Sequence, residues 1–566
     1  MEVSNLVRSL LSKRGIETEI DIASFLNPDY ELHTHDPFLL SGMDVAVDRV
    51  LRAIERGERI AVYADFDCDG IPGAALLSDF FKRIGYENFE VYLPHRDREG
   101  YGFHTEAISA LAGRGVKLII TIDVGTNAVG AVAHAKELGV DVIVTDHHEV
   151  TELPDAVAVL NPKIVPYPFP HLCGAAVAFK FVQAALAEGK RRKLAAFEKI
   201  PDGWEKWLLD MVAIATVADM VPLTGENRVL AHWGLQVLRK SQRAGINALC
   251  AKVRLRKKEL TEDDIGFSIA PRINAASRMD EPDLALKLLT TTDSNEAENL
   301  AAQLEKLNAS RKGVVAGIVK QARCTLQQRY GESAQGGSAS GRRVIVLGNP
   351  EWKPALLGLA ANSIMGERGG VVCLWGRDVN GKLKGSCRSD GEVSLVDLFA
   401  NAGDIFEESG GHKASGGFTV SHEQVHSLSE VLAEAAVRLG RTAASSKVEE
   451  SAHDFLLSLS EITSALYKQV SMLAPFGIGN EKPLFRITET IVTEVRRFGK
   501  EKNHTEVILE CRRTGSRARA FDFFRSPEDF SLLPAAGSEA SVLGTIERDT
   551  FRGGLVLRIV DIVPAA

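Results

Sequence analysis

The sequence predicts an α/β multidomain protein: a parallel-sheet domain, a long connecting helix, a smaller second α/β domain and a small C-terminal β-barrel. Three observations predict it. From residue 59 short apolar runs alternate with helical stretches, residues 294–330 have few helix breakers, and beyond residue 450 the chain turns to closely spaced β-type segments. The 566 residues exceed what one hydrophobic core organises, and 45% hydrophobic with 25% charged residues is an ordinary globular balance.

In order, RIAVYADF (59–66) reads as a buried strand and Gly70 to Arg83 as a helix. FEVYLP (89–94), VKLIITID (116–123), VDVIVTDHH (140–148) and AVAVLNP (156–162) read as further strands, with helices from His104 to Leu111 and from Asn127 to Leu138. Repeated βαβ units of this kind make a parallel sheet covered on both faces. A helical region follows over 172–330. Its last part, Ser294 to Tyr330, has Asp293 or Ser294 as N-cap and would span roughly 55 Å at 1.5 Å per residue. AQGGSASGRR (334–343) reads as a flexible joint, and VIVLG (344–348) opens the second α/β unit. LFRITETIVTEV, TEVILECR, RARAFDFF, ASVLGTI and GLVLRIVDIV read as barrel strands. The expected boundaries are an extension over 1–50, a first α/β domain with its helical segment over 51–293, the connecting helix over 294–333, the second α/β domain over 341–445 and the barrel over 450–566.

Composition narrows the function. No apolar run reaches membrane-spanning length, and the first residues carry no secretory signal pattern, so no membrane partner is expected. Seven scattered cysteines fit a reducing, cytoplasmic setting and argue against a disulfide framework or a thiolate zinc site. A net charge of −8 means that any polyanion must be drawn to a local patch or to bound cations.

Acids gather at the strand ends. Asp65, Asp67 and Asp69 follow the first strand in DFDCDG, Asp123 ends the third, and Asp146, His147 and His148 end the fourth. In an open parallel sheet these positions face one edge, where ligands bind. So many carboxylates in one crevice would repel, and a pair of divalent cations, Mn²⁺ or Mg²⁺, removes the conflict. Two such ions ~3.5–4 Å apart clamp a phosphate and activate water. A lone DxDxDG also fits a calcium loop, but that pattern needs a glutamate where this chain has Leu76, and a helix where it has a strand.

YADFDCDGIPGAALL, TIDVGTNA, TDHHEV and ATVADMVPLTGENR resemble the four motifs of the DHH phosphoesterase superfamily. RGIETEIDIASFLNP, RDREGYGF, SIAPRINAASRM, GSCRS, GGHKASGGF and LAPFGIGNEKPLF resemble, in the same order, segments of the RecJ family of single-strand-specific exonucleases. The resemblance covers almost the whole chain. It implies a DHH domain, a DHHA1 domain and an OB-type barrel. It also implies a metal set of Asp65, Asp67, Asp69, Asp123, His147 and Asp219, the last of which reads by itself as a bland polar position. His148 would meet the scissile phosphate, leaving Asp146 to orient the histidines. Arg96, Arg278, Ser386 and Arg388 would form a pocket for the terminal nucleotide and its 5′ phosphate, with Arg272 a weaker candidate. Gly410, Gly411 and His412 would bring backbone N–H groups and an imidazole to a phosphate.

The implied activity is two-metal hydrolysis of single-stranded DNA from the 5′ end, releasing 5′-mononucleotides, in repair and recombination. The implied protein partners are a single-strand-binding protein or a RecQ-type helicase. Residues 486–520 hold nine Arg or Lys against five Glu, with Phe498, Phe521, Phe523 and Phe524 in or beside them, a pattern suited to a strand-binding groove. One departure stands out: Trp352-Lys353-Pro354-Ala355 replaces the family's usual Trp-His-Pro-Gly segment. The competing readings are a DHH nanoRNase or cyclic-dinucleotide phosphodiesterase, which normally lack the arginine segment and the barrel, and a non-catalytic DNA-binding scaffold, which need not retain the acids.

Overall fold

The computed structural model describes residues 3–330, 344–440, 453–499, 502–549 and 552–565, so the expected joint at 334–343 lies outside it. The chain forms two compact units. One comprises 36–219 with 234–446, the other 1–35, 220–233 and 447–566.

The first unit contains two sheets. Strands β1 (Arg59–Ala64), β2 (Phe89–Tyr92), β3 (Val116–Ile122), β4 (Asp141–Thr145) and β5 (Ala158–Leu160) pair in parallel in the order β2-β1-β3-β4-β5. β1 and β3 are apolar almost throughout and buried, as strands covered on both faces must be. Helix Gly70–Arg83 starts where the motif glycine allows it: a Cβ on Gly70 would lie 2.2 Å from the Asp65 carbonyl oxygen.

The second sheet holds β6 (Val344–Gly348), β7 (Val371–Arg377), β8 (Leu383–Ser389), β9 (Glu408–Gly411) and β10 (Ser415–Val420) in the order β6-β7-β8-β10-β9. Only β6 and β7 are parallel. The helix Ser294–Tyr330 serves both lobes. Its early part receives an ion pair from Arg272 to Glu305 at 2.5 Å, while Ile318, Val319, Ala322 and Leu326 pack with Trp352, Leu356 and Leu357. Arg272 is thereby engaged in joining helices.

Against the expectation of unpaired thiols, Cys373 and Cys387 form a disulfide. The physical reason is register: they stand directly opposite on antiparallel β7 and β8, a neighbourhood that their wide sequence spacing conceals.

In the second unit, β12 (Phe485–Phe498), β13 (His504–Cys511), β14 (Arg517–Asp522), β15 (Glu539–Arg548) and β16 (Leu555–Pro564) close into a barrel through β12–β15 pairing, and β11 (Phe455–Ser458) adds alongside β12. Leu6, Val7, Leu10, Leu11, Ile22 and Leu26 share one core with the barrel residues Phe485, Val507, Val542 and Leu557. Residues 6–26 thus complete the barrel's core, whereas the helix Met43–Arg56 belongs to the first unit. Among the described residues no helix is long and apolar enough to cross a membrane.

Candidate active site

The acids collect at the carboxyl edge of the parallel sheet. Asp65 follows β1 and donates its backbone N–H to the Ile122 carbonyl, so the first motif is stitched to the end of β3. The Asp67 carboxylate accepts the backbone N–H groups of Asp69 and Gly70 at 2.8 and 3.2 Å, which curls the loop tightly. Asp69 accepts the N–H groups of Gly174 and Ala175 at 2.6 and 2.8 Å, the first residues of helix Gly174–Arg191. Its charge thus sits at a helix N-terminus, which favours an anion. Gly174 also lets Asp123 pack close to the same helix start, because a Cβ there would lie 2.6 Å from the Asp123 Cβ. Asp123 itself adopts a left-handed backbone, φ +60°, which Asp tolerates better than most residues.

His147 joins the cluster. Its Nε2 lies 3.1 Å from Asp123 Oδ1, 3.6 Å from Asp219 Oδ2 and 3.7 Å from Asp69 Oδ2. Three ligand groups result: Asp65–Asp67–Asp123, Asp69–His147–Asp219 and Asp123–His147–His148, the ligand atoms of each within 4.8 Å of one another. Asp219 caps the C-terminus of helix Leu209–Ala218. The sequence carries a faint signal for it: a carboxylate at the negative end of an otherwise apolar helix is electrostatically misplaced unless a cation compensates.

The electrostatics match that need. Burial, then the neighbouring acids Asp69, Asp67, Asp65 and Asp219, pushes Asp123 well above the carboxylate range. Burial and Asp67 raise Asp65 likewise, raise Asp69 to about 6, and burial with Asp69 and Asp67 raises Asp219 to about 9. Asp65 Oδ1 is buried without a hydrogen-bond partner among the described residues. Burial, then His148, lowers His147 to about 4, so its imidazole is neutral and able to ligate. This donor set of carboxylates and one neutral imidazole fits hard divalent cations.

Asp146 points differently. It accepts His148 Nδ1 at 2.7 Å, the His147 backbone N–H at 2.7 Å and the Thr126 N–H at 2.9 Å. Burial opposes its ionisation, but His148 and Thr126 outweigh burial and hold it well below the ordinary range. Burial likewise pulls His148 down, but Asp146 and the nearby carboxylates raise it overall, biasing it towards the charged form.

Beside Asp65 and Asp67 lies a cationic pocket. Arg278 donates to the Ala355 carbonyl at 2.6 Å, and its guanidinium is lowered to about 9 by burial and then by repulsion from Arg96, Arg311 and Arg388. Arg96 lies over the Phe66 ring at 4.5 Å, and its Nη1 is buried without a hydrogen-bond partner among the described residues. Arg388 donates to the Cys387 carbonyl at 2.7 Å and passes Gly358, where a Cβ would meet it at 2.5 Å. Ser386 is two residues back on β8. It pairs across the sheet with Gly417, which pairs in turn with Gly410. Gly411 takes φ +147° and His412 is exposed. After Lys163, the charge of His412 helps lower Glu149, the residue following His148.

In the other unit, Phe498, His504, Phe521, Phe523 and Phe524 form linked ring contacts, with Arg558 over Phe521 and Phe523. Phe524 is 78% exposed. The basic run is less available than its composition implies. Arg496, Arg497, Arg512, Arg513, Arg517 and Arg519 all pair with acids.

Three family models match: the DHH family N-terminal domain over 59–216, the DHHA1 domain over 341–438 and the RecJ OB domain over 453–561. The chain is 30% identical to the single-stranded-DNA-specific exonuclease RecJ of Escherichia coli K12, over 99% of this chain and 95% of that protein. It is 34% identical to the protein of that name in Bacillus subtilis 168, over 96% of this chain, but spans only 66% of that longer relative. Among solved structures, RecJ of Thermus thermophilus in complex with Mn²⁺ matches with a TM-score of 0.78 at 26% identity, over 100% of this chain and 79% of the other, and its Mg²⁺ complex matches at 0.74, over 100% and 75%. At 30% identity to the Escherichia coli relative, over 99% of its own length and 95% of that protein, the chain belongs to the RecJ family.

Proposed function

We propose that this chain is a metal-dependent exonuclease that trims single-stranded DNA from its 5′ end and releases 5′-mononucleotides. The observation that carries this reading is a carboxylate-rich ligand cluster beside a pocket of arginines within one folded unit. The proposed metal ligands are Asp65, Asp67, Asp69, Asp123, His147 and Asp219. Two bound divalent cations, Mn²⁺ or Mg²⁺, supply a clamp for the phosphodiester, a more acidic attacking water and charge for the leaving oxygen.

The chain's own residues do the rest. Arg96, Arg278, Ser386 and Arg388 hold the terminal 5′ phosphate. Their pocket adjoins the ligand cluster, so only the first internucleotide linkage reaches the reacting position, and each turnover yields one mononucleotide. His148, oriented by Asp146 and biased by it towards the charged form, stabilises the negative charge developing on the scissile phosphate. Gly410, Gly411 and His412 approach that phosphate from the second lobe. The family likeness supports a role in repair and recombination, and a cytoplasmic setting with a single-strand-binding protein or RecQ-type helicase as partner is proposed beside it.

The test is a digest of 5′-labelled and 3′-labelled single strands with Mn²⁺, beside a dinucleotide. Label released first from the 5′ end, with long strands preferred, supports the reading. Release from the 3′ end, or a dinucleotide preferred, overturns it.

The exposed ring of Phe524 is proposed to stack on a base of the trailing strand. Phe524→Ala is expected to weaken binding of long single strands about fivefold or more, since one base on one ring is worth about 1–3 kcal/mol. Fluorescence anisotropy on long and short oligonucleotides checks this, and equal affinity for the long strand removes the role. A point change is the right probe, because deleting 450–566 would also strip the core from residues 6–26.

A further inference from the structure

Lys353 stands where the two lobes of the first unit meet. Its Nζ lies 2.6 Å from Asp280 Oδ2 and 3.3 Å from Asp97 Oδ2. The three residues come from three places: the loop after β2, the end of helix Ala270–Arg278, and the turn before helix Pro354–Arg368. Asp97 is 8% exposed, so its charge is held away from water and depends on a partner. Asp97 and Asp280 also face each other, and the ammonium offsets their repulsion.

Asp97 directly follows Arg96, and Asp280 lies two residues after Arg278. The same turn contacts the pocket a second time, because the Ala355 carbonyl accepts from Arg278. The Arg96 loop is built to be held. Its backbone N–H groups at Arg98, Glu99 and Gly100 all reach the His95 carbonyl, and Glu99 receives Tyr92 and the His95 N–H. Asn380 of the second lobe also donates to the Arg98 carbonyl at 3.3 Å. Arg96 and Arg388 carry the same charge as Arg278 and repel it. Arg96 rests on the Phe66 ring near Asp65, and the ion pair at Asp97 holds the loop that presents it.

We propose that Lys353 is a positioning residue. By bridging Asp97 and Asp280 it fixes Arg96 and Arg278 relative to the second lobe, and so sets how tightly the site grips a 5′-terminal phosphate. A histidine would be a shorter and only partly charged bridge, so this lysine makes the clamp a permanent ionic one. The proposal rests on the 5′-phosphate reading of the arginine pocket.

The experiment compares 5′-phosphorylated with 5′-hydroxyl single strands in the Mn²⁺-loaded full chain. Lys353→Met is expected to raise KM for the phosphorylated strand about tenfold with kcat within about twofold, and to reduce the preference for the phosphate. Lys353→Arg restores most of it, and adding Asp97→Asn to Lys353→Met costs nothing further, because the bridge is already gone. Arg96→Met separates the two claims. If it abolishes the preference while Lys353→Met retains it, the clamp is wrong and the pocket stands. If neither change alters the preference, the pocket reading fails and the clamp with it. A Lys353→Met protein that loses thermal stability while keeping a normal KM shows a purely structural bridge and overturns the proposal.

Discussion

Asp123→Asn is expected to lower hydrolysis by at least about a thousandfold, equivalent to about 4 kcal/mol in the barrier. Asp123 belongs to two of the three ligand groups, so losing its charge weakens more of the cluster than losing a carboxylate that belongs to one. Asparagine has the same size and tolerates the left-handed φ of +60°, so the loop need not move. The same change removes a buried carboxyl that its neighbours repel. The metal-free variant should therefore melt about 2–4 °C higher than the parent at pH 8. Single-turnover assays and calorimetry without metal check the pair. A variant that loses activity and stability together would mean that Asp123 supports the fold.

Much of this site is legible in the sequence because strand periodicity fixes where a strand ends. Asp65, Asp123 and Asp146 each follow an apolar run, so parallel pairing alone carries them to one edge. Periodicity cannot separate their roles. Asp146 turns its oxygens to His148 and to backbone N–H groups, a role that the family resemblance implies but periodicity does not. Asp219 is harder still: it arrives on a helix end from a distant segment, and its 3.6 Å approach to His147 is a tertiary fact. The barrel carries the opposite lesson. Its arginines read as a basic groove because their partners, such as Glu528 for Arg497 and Glu539 for Arg512, lie up to 31 residues away. The helix Asn5–Ser12 shows its apolar face in the sequence but gives no sign that the face meets strands beyond residue 485.

In the metal-free protein, stability should fall as pH rises from about 6.5 to 8, and Mn²⁺ should reverse the trend. Asp219, raised to about 9, keeps its proton in the fold through this interval, whereas an unfolded aspartate has released it above about 4. The unfolded chain binds fewer protons, so its stabilisation grows with pH. The contribution is complete below pH 4 and is lost as pH climbs towards 9. Asp69 acts in the same sense, but only up to about 6. His147, lowered to about 4, acts oppositely, and its effect is confined below its unfolded value near 6.5. Starting at pH 6.5 therefore leaves His147 out, while His148, pulled down by burial but raised overall by Asp146, adds to the fall, and Cys511, lowered to about 7 by its hydrogen bond with Thr514, opposes it. Stopping at pH 8 avoids the buried thiols Cys68 and Cys173, which burial raises. Over those 1.5 units Asp219 alone is worth about 2 kcal/mol. A divalent cation takes the place of the withheld proton, so its affinity and the melting shift it produces should grow across the same interval. Asp219→Asn should flatten both slopes. A Mn²⁺ shift that shrinks with rising pH, or one that Asp219→Asn leaves untouched, would mean that the ions and these protons do not share the site.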